Sequence, residues 1–123
     1  MPRHTTDVVV VGYGINGASA AFHLAERGLN VTVLEKEAGA ALGSTGKSAA
    51  GVRVQFTTAA NIRLSLYSLP AFRSFEERYG RDIGYRDIGY LLVVPESRWE
   101  QHLESVGLQH ELGAPVEVLT PDE

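Results

Sequence analysis

The hexapeptide Gly12-Tyr13-Gly14-Ile15-Asn16-Gly17 follows directly on Asp7-Val8-Val9-Val10-Val11, and this junction constrains the fold more than any other part of the chain. The valine run is the pattern of a strand buried on both faces, as in parallel α/β sheets. From Ile15 to Arg27 the residues favour helix, with Ala18, Ala20, Ala21, Leu24 and Ala25 giving a small-residue face that allows close packing on a sheet. Gly28 ends that helix as a C-cap glycine. Val31 and Val33, within Asn30 to Leu34, mark a second strand and complete a βαβ unit with a right-handed crossover. In this setting Gly12 permits the tight turn, Gly14 lets a diphosphate approach the backbone, and Gly17 lets the helix lie close to the strand. Ile15 and Asn16 open the helix, whose free N–H groups favour an anion. The junction therefore predicts dinucleotide binding. Glu35, at the end of the second strand, is placed to accept hydrogen bonds from ribose hydroxyls. A carboxylate there disfavours a 2′-phosphate, so NADP is the least suited dinucleotide despite the neighbouring Lys36.

Beyond Glu35 the helix–strand alternation stops. Residues 38 to 51 are Gly, Ala, Ser or Thr at twelve of fourteen positions. Ala41 to Ser48 matches a loose P-loop pattern with Ala41 in place of the first glycine. That stretch begins too far beyond its strand, and Gly51-Val52-Arg53-Val54 is a poor helix, so nucleotide hydrolysis is not expected. Ile62, Leu66, Leu69, Phe72, Phe75 and Tyr79 recur at helical steps, which predicts an amphipathic helix over Thr58 to Tyr79 that Pro70 kinks or splits. Ile83 to Val94 reads as extended, with Tyr90 to Val94 its most apolar part. Trp99, Leu103, Val106 and His110 predict another helix, and Val116 to Leu119 a last short strand. The pentapeptide Arg81-Asp82-Ile83-Gly84-Tyr85 recurs as Arg86-Asp87-Ile88-Gly89-Tyr90. An odd offset puts the two copies on opposite faces of a continuous strand, so they cannot do the same job.

Composition narrows the partners. The net charge is −4, and no Lys/Arg run tracks phosphates, so nucleic acid is not an expected partner. The stretch from residue 96 to 123 holds one Arg against seven acids and reads as a solvated helix face. With no Cys, disulfides, thiolate metal sites and a cysteine nucleophile are excluded. The N-terminus, with Arg3 and His4, lacks the apolar length of a signal peptide or membrane span, which points to a cytoplasmic chain without membrane attachment. His4, His23, His102 and His110 do not cluster; they are read as non-catalytic, and no metal site is expected. Thr120-Pro121-Asp122-Glu123 has the form of a capped helix start, so the chain reads as the N-terminal piece of a longer polypeptide. The expected fold is α/β: a Rossmann-like βαβ unit within residues 1–56, then helices and short strands of an incomplete second region, residues 57–123.

From Asp7 to about Val94 the chain resembles the N-terminal part of flavoproteins in the D-amino-acid oxidase superfamily, particularly the sarcosine oxidase β-subunit, dimethylglycine dehydrogenase and dye-linked proline dehydrogenase group. The residues that carry the resemblance are the glycine fingerprint with Ala21, Leu24 and Gly28, the strand Val31 to Glu35, and the loop Gly43-Ser44-Thr45-Gly46-Lys47-Ser48-Ala49-Ala50-Gly51. Val52-Arg53-Val54-Gln55-Phe56 and Gly89-Tyr90-Leu91 extend it. The resemblance implies FAD, with its ribose on Glu35, its diphosphate on Gly12, Gly14 and Gly17, and its inner half along Ser44 through Gly51. It also implies that Arg53 pairs with a substrate carboxylate near the flavin. The covalent flavin link of the dimethylglycine dehydrogenase branch is not expected, because Gly46, Lys47 and Ser48 stand where that branch has a His.

The function so implied is oxidation of the C–N bond of an amino acid or secondary amine by hydride transfer to flavin, with later segments completing the site and the isolated chain inactive. Other oxidase subunits are candidate partners in a hetero-oligomer. Two alternatives stand beside it: an NAD-binding dehydrogenase segment, and a truncated non-catalytic subunit that binds a nucleotide or a partner.

Overall fold

A computed structural model describes residues 5–120; Arg3 and His4, and the helix start at Pro121 to Glu123, lie outside the described residues. The chain divides into two compact units after Gly51. In the first, β1 (Val8–Val11) and β2 (Val31–Leu34) form a parallel pair in the register Val8↔Val31 to Val11↔Leu34, joined through helix α1 (Ile15–Glu26). The crossover closes with a Schellman motif: Gly28, at φ +81°, donates to Ala25 O, and Leu29 N–H reaches back to Leu24 O. The start of β2 is tied to β1 by side chains as well, since Asn30 N–H donates to Asp7 Oδ2 at 2.8 Å and Thr6 Oγ1 donates to Asn30 O at 2.7 Å.

The valine strand is covered on one face rather than two. Val8 and Val10 are half-buried, whereas Val9 is 50% and Val11 83% exposed. A two-stranded sheet with one helix has only one face to cover, so the all-β-branched run reports the strand but not a second layer.

In the second unit, α2 (Ala59–Arg73) passes through Pro70 and breaks at Ser74, and α3 (Phe75–Tyr79) follows. Pro70 removes the donor for Leu66 O, yet its own carbonyl takes both Ser74 N–H and Ser74 Oγ–H, so the split falls four residues downstream. Helix α4 (Trp99–Glu111) ends in a second Schellman motif at Gly113. Val54, Ile62 and Ala114 form the core of this unit, with Phe56, Leu66, Leu69, Leu108, Leu112 and Val116 packed around them. Gln109 is 2% exposed and donates through Nε2 to Phe56 O at 2.9 Å.

Neither short strand expected in this unit forms a ladder among the described residues. Residues 80–95 and 114–119 have no regular secondary structure. Gly84 and Gly89 both adopt positive φ, interrupting any continuous strand, and Tyr90 O is met by the Gln55 side chain instead of a neighbouring strand. Apolar character marks these segments for burial, but a strand exists only where a backbone partner runs beside it.

Candidate cofactor-binding site

The site is built where β1 and β2 end. Gly12 takes φ +97°, a value that favours glycine, while its N–H donates to Leu34 O at 2.7 Å and carries the pairing one residue past the strands. Gly17, in the first turn of α1, faces that turn directly: a Cβ there would stand 2.0 Å from Gly12 O. Only a glycine lets the helix start this close to the strand end. Gly14 caps α1 with no side-chain acceptor of its own. Two free donors, the N–H groups of Asn16 and Gly17, therefore point out of the first turn, because the helical bonding begins with Ala18 N–H to Gly14 O.

Glu35 follows β2 immediately. Its Oε2 accepts from Tyr13 N–H at 2.6 Å and its Oε1 from Glu37 N–H at 2.9 Å, so both oxygens are fixed beside the glycine turn. The Glu37 and Tyr13 N–H groups hold the carboxyl below its ordinary value of 4.5, with a smaller contribution from Lys36. Each oxygen keeps a further lone pair for an external donor. Lys36 is largely solvated, with its Nζ 3.5 Å from Glu37.

The Gly/Ser/Thr loop folds back onto the same place. Ala41 N–H donates to Tyr13 O at 2.9 Å, and Thr45 Oγ1 accepts from Ile15 N–H at 3.0 Å. Ser44 leads into a 3-10 turn at Thr45–Lys47, and Ser48 Oγ accepts from Ala50 N–H at 3.1 Å. Gly43, Ala49 and Gly51 lie in irregular backbone on either side, and Lys47 is exposed. No helix starts at Lys47 or Ser48, so the P-loop pattern does not form a P-loop. The pattern nonetheless carried a signal: Ala41, standing where a glycine was expected, has φ +63°, and a Cβ on Gly46 would meet Ala41 O at 2.4 Å.

The structure thus gathers Gly12, Gly14, Ile15, Asn16, Gly17, Glu35 and the Thr45 hydroxyl around one strand-end cradle. Arg53 belongs to the second unit, where its guanidinium carbon lies 4.9 Å from the centre of the Phe56 ring. Tyr13, Glu37 and Ala41 were not foreseen as parts of the site; all three act through backbone groups, which leave no residue-type signature. No group of three or more His, Cys, Asp or Glu able to hold a metal ion occurs among the described residues.

A parallel βαβ unit with a glycine turn, a free helix N-terminus and a carboxylate fixed at the end of the second strand defines a dinucleotide-binding segment of the Rossmann type. The comparisons with known proteins then specify the family. The model for the family "DAO: FAD dependent oxidoreductase" matches residues 7–123, and the chain belongs to that family. FAD-dependent oxidoreductase domain-containing protein 1 of Xenopus laevis is 34% identical over 134 residues, covering 100% of this chain and 27% of that protein. Glycine oxidase of Geobacillus kaustophilus is 33% identical across 98% of this chain and 34% of its own length. Among solved structures, L-proline dehydrogenase from P. horikoshii matches with a TM-score of 0.85 at 33% identity, over 95% of this chain and 31% of that one. The α/β class and the flavoprotein superfamily expected from the sequence are both borne out, and FAD is the cofactor of the family. The chain spans about a quarter of the length of the FAD-dependent oxidoreductase domain-containing protein 1 relatives and about a third of that of glycine oxidase. No helix among the described residues is long and apolar enough to cross a membrane.

Proposed function

We propose that this chain is the FAD-binding N-terminal segment of an oxidoreductase that oxidises the C–N bond of an amino acid or secondary amine. The observation that carries the reading is the cradle itself: three glycines at positions with distinct backbone demands, facing a carboxylate already oriented by two N–H groups. The residues fit the cofactor. Glu35 holds the adenosine ribose through its free lone pairs, and the Asn16 and Gly17 N–H groups, with the positive end of α1, hold the diphosphate. Gly43 to Gly51 follows the inner half of FAD. Lys36 and Lys47 stay at the solvated edges of the site. Bound there, FAD supplies the hydride acceptor that no side chain of this protein provides. Arg53 clamps the substrate carboxylate through its planar guanidinium, whose carbon lies 4.9 Å from the centre of the Phe56 ring.

Relatives named glycine oxidase and L-proline dehydrogenase support the amino-acid substrate class. An NAD-binding role is the less suited reading, because among the described residues no further helix–strand unit continues the β1–β2 sheet after Glu35. Titration with FAD, followed by flavin fluorescence, tests the proposal. Saturable quenching that NADH does not reverse is expected. Tight NADH binding that FAD fails to compete would replace the flavin by a nicotinamide cofactor.

A further inference from the structure

Arg53 and Phe56 lie in irregular backbone of the second unit, and both are half-buried. The Arg53 guanidinium carbon sits over the Phe56 ring, 4.9 Å from its centre. Arg73 and Arg86 each pair with an aspartate, Asp87 and Asp82, whereas Arg53 has no carboxylate partner among the described residues. An aromatic face attracts a cation through its quadrupole and neutralises none of its charge. The Arg53 guanidinium is therefore held in place with its charge uncompensated, the condition that a site for an anion requires.

A ring can aim a cation only if the ring is itself fixed. Phe56 N–H donates to Val54 O at 2.8 Å, and Phe56 O accepts from Gln109 Nε2 at 2.9 Å. Gln109 comes from α4, is 2% exposed, and its Oε1 has no hydrogen-bond partner. A carbonyl can only accept, so Nε2 has to face Phe56 O and Oε1 is the atom left over. Burying an unsatisfied acceptor costs stability, and an apolar side chain would serve the packing better. The bond that this amide does make goes to the residue that carries the ring. We infer that Phe56 and Gln109 are positioning residues for Arg53: the Gln109 amide fixes the Phe56 backbone, and the Phe56 ring holds the guanidinium with its N–H donors open to the substrate carboxylate. The inference rests on the carboxylate role proposed for Arg53 above, and it extends the substrate site to α4, whose sequence showed only helical periodicity.

The test titrates the native FAD-loaded protein with acetate and with acetamide, which has the same shape without the charge, and follows the flavin absorption. Phe56→Leu keeps apolar bulk and removes the ring, while Phe56→Tyr keeps the ring. Phe56→Leu is expected to weaken acetate by about fivefold, the value of one cation–ring contact, with acetamide unchanged and Phe56→Tyr restoring acetate. Gln109→Met, which removes the amide and keeps the length, is expected to weaken acetate in the same selective way. Equal weakening of acetate and acetamide would mean that Phe56 and Gln109 only shape the unit, and would overturn the inference, as would unchanged acetate affinity in Phe56→Leu. Unchanged acetate affinity in Gln109→Met alone would remove Gln109 from it. Thermal unfolding shows whether each variant is folded, and Phe56→Met serves if Phe56→Leu is not. Arg53→Gln reads the underlying role separately: acetate affinity unchanged in that variant would remove the carboxylate clamp itself.

Discussion

Glu35 owes its state to backbone rather than to other side chains. The Glu37 N–H, two residues along the chain, lowers its proton affinity most and the Tyr13 N–H next, and the Tyr13 contact is present only when the turn between β1 and α1 is formed. A carboxyl depressed in the folded state adds stability that is present above its unfolded value and is lost as pH falls through the lower folded value. With an ordinary value of 4.5, that loss sets in as the pH falls toward 4.5 and is complete once the pH is below the lower folded value. Asp82 contributes with the same sign, held down by the Arg86 guanidinium and the Gly84 N–H. Glu35→Gln removes one contribution and leaves the other, so the two proteins separate the effects. Urea midpoints measured from pH 7 downward should converge as the pH falls, the unsubstituted chain losing its advantage over Glu35→Gln. Parallel curves would mean that the Tyr13 and Glu37 contacts do not form in solution. The sequence made the position of Glu35 legible through its spacing from Gly12. It could not name Tyr13 or Glu37, because a backbone donor is set by turn geometry and not by residue type. The tandem pentapeptide makes the same point from the other side. Asp82 closes its own turn and pairs with Arg86, whereas Asp87 reaches back to Arg73 on α2 at 2.6 Å. Identical residues do different work because their surroundings differ.

At the level of elements, helices were more legible than strands. Each helix carries its periodicity within itself, and the two Schellman glycines, Gly28 and Gly113, mark the ends of α1 and α4 without help from the rest of the fold. A strand is completed by a partner that lies elsewhere in the chain, so Tyr90 to Val94 and Val116 to Leu119 look like strands in sequence and lack a ladder in the structure. Pro70 lies between these cases. Its place inside the helical pattern was plain, but the position of the break depended on Ser74, which donates twice to the Pro70 carbonyl. Pro70→Ala would return a donor to Leu66 O and relieve the interior proline penalty of ~3 kcal/mol, while giving back about 1 kcal/mol of unfolded-chain rigidity. A net gain of about 2 kcal/mol is therefore expected in denaturant unfolding, with helicity by circular dichroism unchanged or slightly higher. Destabilisation instead would show that the kinked geometry of α2 is required by packing around Ile62 and Leu66.

Across the whole chain the balance is between a charged, hydrated surface and apolar segments left without a partner. Ile88 and Val93 are each 89% exposed and Leu91 74%, all within a stretch whose backbone has no ladder neighbour among the described residues. Exposed apolar side chains beside unpaired N–H and C=O groups form a template for strand pairing between molecules. The net charge of −4 opposes such contact, and salt screens that repulsion over about 8 Å at 0.15 M. The chain alone should therefore bind a hydrophobic dye such as ANS and self-associate in a way that strengthens with protein concentration and with added salt, as sedimentation velocity would register. Val93→Lys discriminates between the two forces. It lowers the magnitude of the net negative charge, which by itself would favour association, while placing a lysine on the open edge, which disfavours strand pairing. Reduced association in Val93→Lys would assign the behaviour to the apolar edge. Increased association would assign it to net charge and would mean that the exposed segment around Val93 plays no part in holding molecules together.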